Sequence, residues 1–264
     1  MRAGIIKAAK SLTSISPQAL RSHLLNPSPL HLTNLVSHWP ALSTWRLSDG
    51  LQALRDGVGD HREVEVEVGK QGRGYLDPDW QRVTMGFGLF LDAFILQNIP
   101  SSSRDLPIGY LAQADLLEAP SAISSAVPHL PHFDVGPRGS FYRRTIWIGP
   151  SGSFTPFHRD PYMGIYSQNA ERFLDPSPIQ IHSNTSRIPI PISRLFPTHS
   201  GAVNKDLPLE IVNKLGDHLK KAFAMPGACQ VDLSAGESVL VPEGWWHSAE
   251  GTHGPGVGVG GWFR

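Results

Sequence analysis

The chain has 264 residues, with 23 Lys+Arg against 23 Asp+Glu, 40% hydrophobic residues, 26 Gly, 23 Pro and a single Cys. Zero formal net charge argues against a general phosphate-backbone binder, which draws its affinity from many Lys and Arg contacts. One cysteine excludes a disulfide framework and a cysteine-cluster zinc site, and the abundant Gly and Pro favour short strands and turns over long helices.

The first residues, Met1 to Lys10, are basic, and no acid precedes Asp49, which resembles the opening of a mitochondrial transit peptide. A frayed basic helix in an N-terminal tail over 1–14 is the preferred reading, and a secretory signal is not supported because the apolar run is too short. Ser16-Pro17 predicts a capped helix over 17–25 that Asn26-Pro27 ends. A second helix is expected over 48–58, capped by Ser48-Asp49, with Leu51, Leu54 and Val58 on one face. The perfect alternation Glu63-Val64-Glu65-Val66-Glu67-Val68 predicts a strand with valines inward and glutamates in solvent. Residues 85–97 return to helical spacing, with Phe87, Phe90, Leu91, Phe94 and Ile95 as a core stripe. The apolar run 83–96 is broken by Asp92 and falls short of the roughly 20 residues a membrane span needs.

Beyond Ile108-Gly109-Tyr110-Leu111-Ala112, strands dominate: 141–148, 155–158, 164–166, 230–233, 238–241 and 257–259, separated by Pro and Gly. A helix at 209–225 is inserted among them. Helices early and antiparallel strands late imply a mainly β fold: a double-stranded β-helix, or jelly roll, with an N-terminal helical cover. The expected organisation is one domain over 15–264. Residues 15–140 form the cover and leading strands, and 141–264 the jelly-roll core.

Three residues carry chemistry: His158 and Asp160 in Thr155-Pro156-Phe157-His158-Arg159-Asp160, and His247 in Pro242-Glu243-Gly244-Trp245-Trp246-His247. On a strand, residues two apart share a face, so His158 and Asp160 can grip one ion. With His247 from a second strand, two imidazoles and one carboxylate cover one face of an octahedral ion and leave the other open, the pattern of non-haem Fe(II) oxygenases. A structural zinc site would want a fourth protein ligand.

These motifs, with Leu35-Val36-Ser37-His38-Trp39-Pro40-Ala41-Leu42, Val66-Glu67-Val68-Gly69, Gly109-Tyr110-Leu111-Ala112-Gln113, Trp147-Ile148-Gly149-Pro150, Asn184-Thr185-Ser186 and Leu233-Ser234-Ala235-Gly236-Glu237, fall in order along the chain. From about Ile15 onward the sequence resembles the JmjC-domain (cupin-like) Fe(II)- and 2-oxoglutarate-dependent oxygenases, in their small protein-hydroxylase branch. The resemblance implies His158, Asp160 and His247 as iron ligands and catalytic residues. It implies Tyr110, Thr155 and Gln168 as the lining of the 2-oxoglutarate pocket, with the hydroxyls of Tyr110 and Thr155 offered to the distal carboxylate. O2 and 2-oxoglutarate would be consumed together, giving succinate while a C–H bond of a protein side chain is hydroxylated. Phe157, Trp245 and Trp246 are candidate walls or plain core.

The family places a lysine fifteen residues past the first histidine, to pair with 2-oxoglutarate. Here that position is Phe173, in Gln168-Asn169-Ala170-Glu171-Arg172-Phe173-Leu174, and Asp175-Pro176-Ser177-Pro178 follows almost at once. The barrel therefore reads as one strand short. Arg172 is one substitute cation and Arg143 or Arg144 another; a shortened chain is the third and preferred account, because losing an interior strand exposes backbone edges.

Two other readings follow from the missing lysine and from the shared chemistry. One is a catalytically impaired cupin-like protein that still binds metal. The other is a lysine or histone demethylase, or an RNA-base hydroxylase, working by the same hydroxylation. A protein partner is expected in preference to a nucleic acid, with no membrane role, and the location is cytoplasmic or nuclear, with a mitochondrial one as the alternative. His129 and His132 are read as a solvated loop, Cys229 as a small buried residue, and the Gly-rich 254–261 tract as a closing strand whose glycines permit close approach. His182, His199, His218 and His253 lack partners at ligand spacing.

Overall fold

The computed structural model describes residues 7–100, 106–117, 121–169, 177–182 (backbone only), 228–251 and 254–264. The expected helix at 209–225, the Asn184-Thr185-Ser186 motif, and Arg172 and Phe173 lie outside the described residues, as do His199, His218 and His253.

Strands β1 (Lys7–Ala8), β2 (Lys10–Leu12) and β3 (Leu30–Leu32) open the chain, with helix α1 (Pro17–His23) between β2 and β3. Where the sequence suggests a frayed helix, residues 7–12 instead pair along two sheets: β1 runs parallel to β11 (Cys229–Leu233) and β2 parallel to β3. Tertiary pairing overrides the local preference, because a free edge strand offers unpaired N–H and C=O groups. Ser16 caps α1, accepting from the Ala19 N–H at 3.1 Å, and Pro17 takes the first helical position, where its missing donor costs nothing.

The expected helix over 48–58 is shorter. Leu47–Asp49 form a 3-10 turn, the chain reverses through Gly50 and Leu51 in left-handed conformations (φ 70° and 58°), and α3 (Gln52–Val58) begins without a side-chain cap, following the short α2 (Ala41–Thr44). Ser48 and Asp49 thus stand one turn too early to cap it. In β4 (Glu63–Gly69), Val64 and Val66 are buried while Glu63 and Glu65 are exposed. Glu67 departs from the alternation: it is half-buried opposite Tyr110, and burial pushes its carboxyl above the usual range.

After β5 (Gln81–Gly86), α4 (Phe87–Phe90) widens into a π-helix at Leu91–Ile95, which buries Phe87, Phe90, Leu91 and Ile95 as the stripe predicts. Arg55 of α3 ties this segment down, donating to both oxygens of Asp92 at 2.9 Å. Strand β6 (Ile108–Ala114) and the short α5 (Ala122–Ala126) lead to the barrel.

The barrel strands are β7 (Phe141–Gly149), β8 (Phe154–Arg159), β9 (Met163–Gln168), β10 (Ser177–His182), β11, β12 (Ser238–Val241), β13 (Trp246–Glu250) and β14 (Gly256–Phe263). One sheet runs β1-β11-β10-β13-β8, the other β2-β3-β12-β9-β14-β7-β6-β4-β5. Four strands of each, β11-β10-β13-β8 and β12-β9-β14-β7, make the jelly roll. The expected shortage of one strand is corrected here. β10 fills the place between β11 and β13, in register from Ser177↔Leu233 to Ile181↔Cys229 on one side and Ile181↔His247 on the other. Pro178 is the second residue of the strand, at its beginning, where a missing ladder donor is tolerated.

Strand β14 explains the Gly-rich tract. Val257, Val259 and Phe263 pack into the core beneath the helical cover, which also holds Ile146, Ile148, Phe87, Phe90 and Trp39. The alternate residues face the barrel interior. A Cβ on Gly260 would stand 2.5 Å from the Trp147 ring, so glycine there leaves room for the indole. A second cluster, Cys229, Val231, Leu233, Val239 and Val241, fills the barrel itself, and Cys229 is buried as expected. Among the described residues no helix is long and apolar enough to cross a membrane.

Candidate metal centre and cosubstrate pocket

His158 lies near the end of β8, Asp160 directly after it, and His247 on β13 in register with His158. Their ligating atoms all lie within 4.8 Å of one another. His158 Nε2 is 3.6 Å from Asp160 Oδ1, His247 Nε2 is 3.7 Å from Asp160 Oδ2, and the two imidazole centroids are 4.2 Å apart.

The other ring nitrogens face away. His158 Nδ1 meets the Pro156 carbonyl at 2.8 Å and His247 Nδ1 the Trp245 carbonyl at 3.1 Å. A carbonyl only accepts, so each Nδ1 carries the proton and each Nε2 turns its lone pair toward Asp160. Outer hydrogen bonds of this kind fix the tautomer of metal-binding histidines. Burial, followed by the neighbouring His158, holds the His247 imidazole below its ordinary pKa, which keeps it in the neutral form a ligand needs. This donor set, two imidazole nitrogens and one carboxylate, fits iron and leaves room for further ligands.

The triad opens into a cavity of about 120 Å³ inside the barrel. Tyr110, Thr155 and Gln168 all line it, and the Tyr110 and Thr155 hydroxyls are 3.4 Å apart. Burial pushes the Tyr110 phenol up, so it stays a neutral hydrogen-bonding group. Gln168 is 2% exposed; its Oε1 accepts from the Tyr166 hydroxyl at 3.4 Å, and its Nε2 donor is buried with no partner among the described residues.

Thr155 and His158 are three residues apart, which on a regular strand would put them on opposite faces. A bulge resolves this: three steps along β8, from Thr155 to His158, oppose only two along β13, from Ala249 to His247. Strand β6 repeats the device, with Leu111 and Ala114 opposite Ile148 and Ile146, so Tyr110 and Gln113 both reach the cavity. Gln113 sits at φ 52°, in the left-handed region, and its Oε1 accepts from Arg143 at 3.3 Å. The motif Tyr110-Leu111-Ala112-Gln113 contains this residue, yet the alternation of a strand hides its direction.

Other expectations change. Phe157, Trp245 and Trp246 do not line the cavity; besides Tyr110, its aromatic walls among the described residues are Trp147, Tyr166 and Trp262. Trp245 packs on the inner barrel cluster, and the Trp246 ring lies under the Arg159 guanidinium. Trp262 donates its indole N–H to Asp160 Oδ2 at 2.8 Å, a contact with no sequence signature, since 102 positions separate the two. Arg143 and Arg144 are not the substitute cations: Arg143 pairs with Asp115 at 3.4 Å, Arg144 bonds the Val127 carbonyl, and neither lines the cavity. Among the described residues, no Lys or Arg lines the cavity, and Ser177–His182 carries neither. His129 and His132 make no joint site. His129 pairs with Asp134 at 3.0 Å, while His132 is buried against the Ile15 carbonyl at 2.6 Å.

A jelly roll carrying His-x-Asp across the end of one strand and a second histidine on its antiparallel neighbour defines a cupin-like metal-site scaffold. Residues 16–264 match the family described as the cupin-like domain, and the chain belongs to that family. It is 28% identical over 231 residues to the protein called lysine-specific demethylase JMJ30 of Arabidopsis thaliana, covering 86% of this chain and 48% of that one. It is 26% identical over 235 residues to lysine-specific demethylase 8 of Xenopus tropicalis (88% and 47%), and 25% identical over 248 residues to JmjC domain-containing protein D of Dictyostelium discoideum (85% and 49%). The chain spans about half the length of these relatives.

Proposed function

We propose that the chain is an Fe(II)- and 2-oxoglutarate-dependent oxygenase that hydroxylates a protein side chain, with residues 15–264 as its single catalytic domain. The observation that carries this is the convergence of His158 Nε2, His247 Nε2 and the Asp160 carboxylate, with both Nδ1 atoms engaged by backbone carbonyls. These three residues would hold the iron. Bound iron with 2-oxoglutarate and O2 supplies oxidation of a C–H bond coupled to decarboxylation to succinate.

The chain's own residues bind and orient. Tyr110 and Thr155 offer neutral hydroxyls to a carboxylate, and Gln168 adds an amide N–H already stripped of water, so pairing it recovers a buried donor's desolvation cost. Trp147 and Tyr166, packed edge to face at 5.6 Å, and Trp262 wall the cavity and exclude water.

The relatives' names favour a second reading, demethylation of N-methyl-lysine, in which the same hydroxylation falls on an N-methyl carbon and formaldehyde leaves. Balanced charge supports a protein substrate over RNA, and a cytoplasmic or nuclear location suits either protein reaction. Incubating the purified chain with Fe(II), ascorbate and 2-oxoglutarate should give succinate that His158→Ala abolishes. Peptide mass then separates the readings, by gain of one oxygen or loss of one methylene. Metal binding with no succinate under any condition would leave only an impaired metal-binding protein.

A further inference from the structure

We propose that Trp262 is the positioning residue for Asp160, fixing its carboxylate for the ion; this rests on the reading that the triad binds a metal. Among the described residues, each triad member has one outer side-chain tie. For the histidines it is a backbone carbonyl, and for Asp160 it is the indole N–H of Trp262, 2.8 Å from Oδ2.

Asp160 needs that tie more than its partners do. It lies one residue beyond the end of β8, outside the strand ladder; the Gly244 N–H holds its backbone carbonyl at 2.8 Å. Its carboxylate would otherwise rotate about two side-chain torsions. Trp262 supplies a donor that neither ionises nor accepts, so the hold on Oδ2 does not change with pH or tautomer.

The indole is itself held. It is 9% exposed, its ring lies 5.2 Å from that of Trp147, and a Cβ on Gly164 would stand 3.6 Å from its Nε1. The glycines of β14 that face the barrel leave space around these rings, and Trp262 is the one large side chain the strand sends to that face. Its second role, as a cavity wall, is packing and does not involve the N–H.

The test uses the full chain, Mn(II) as a redox-inert probe, and two variants. Outer-sphere partners of metal ligands are worth about 10- to 100-fold in affinity, so Trp262→Phe, which keeps the ring and deletes the N–H, should bind Mn(II) more weakly by that factor. Its metal-induced rise in Tm should shrink to match, whatever happens to the metal-free Tm. Trp262→Gln keeps a donor and loses the ring, and should bind Mn(II) more tightly than Trp262→Phe; a residue that serves only to pack gives the reverse order. Unchanged Mn(II) affinity in Trp262→Phe overturns the role of Trp262 alone. No Mn(II) or Fe(II) binding by the unaltered chain overturns the metal reading beneath it.

Discussion

Gly258 and Tyr166 compete for one position: a Cβ built on Gly258 would lie 1.8 Å from the Tyr166 hydroxyl oxygen. The two strands pair directly, β14 against β9, with Gly260 opposite Tyr166 and Gly258 opposite Gln168. The absence of a side chain on β14 is what lets the phenol lie across the barrel and reach Gln168. Gly258→Ala should therefore push the ring toward the cavity. The expected cost is about 1–3 kcal/mol, as for overpacked cores, with a larger proportional loss in 2-oxoglutarate affinity. Urea unfolding alongside cosubstrate titration checks it; unchanged affinity would show that Tyr166 moves elsewhere.

Gln168 separates function from stability. Among the described residues its Nε2 is buried without a partner, so its removal deletes no hydrogen bond seen at that atom, and the Tyr166 contact to Oε1 is long at 3.4 Å. Gln168→Leu should change stability by under ~1 kcal/mol, since an unsatisfied buried donor is itself unfavourable. The KM for 2-oxoglutarate should rise roughly tenfold, the equivalent of one hydrogen bond to a charged group. Steady-state kinetics against a denaturation curve distinguishes this from a general packing defect.

The α3 to π-helix clamp sets an acid limit. Asp92 is held below the usual carboxylate range first by the Arg55 hydrogen bonds, with Asn98 helping. A depressed folded-state pKa means the unfolded chain takes up the proton first. The contribution is complete above the ordinary carboxylate pKa of about 4 and is lost as pH falls through the lowered value. Asp92→Asn should cost about 1 kcal/mol near neutral pH, in keeping with a largely solvent-screened pair, and should flatten the stability curve below pH about 4. An unaltered acid slope in the variant would assign that slope to other carboxylates.

At the start of the domain, Ser16→Ala removes the acceptor for the Ala19 N–H and should lower stability by about 1 kcal/mol. Ser16→Asp, which can accept the same bond, should restore it. Thermal unfolding of the pair reads the cap directly, and equal losses in both would point to the Ser16 backbone rather than its side chain.

Much of this molecule is local and so is legible in its residues. The alternation at 63–68 buries Val64 and Val66, Ser16-Pro17 starts a helix, and His158 and Asp160 stand at the spacing that lets two donors share an ion. The Gly-rich tract marks a strand, although only the opposing Tyr166 and Trp147 rings show why positions 258 and 260 are glycines. Strand β10 escapes the local reading because prolines near its start look like a turn, and pairing on both sides is what makes it a strand.

What residue order alone established was composition, the alternating and helical segments, and the identity of the metal-binding candidates, because each depends on neighbours within a few positions. Tertiary structure decided direction. Two bulges, one on β6 and one on β8, reverse the faces that strict alternation assigns, and so bring Gln113 to Tyr110 and Thr155 to His158 in one cavity. A bulge exists only relative to the partner strand, and the Trp262 to Asp160 bond only once the barrel closes, so neither has a signature along the chain.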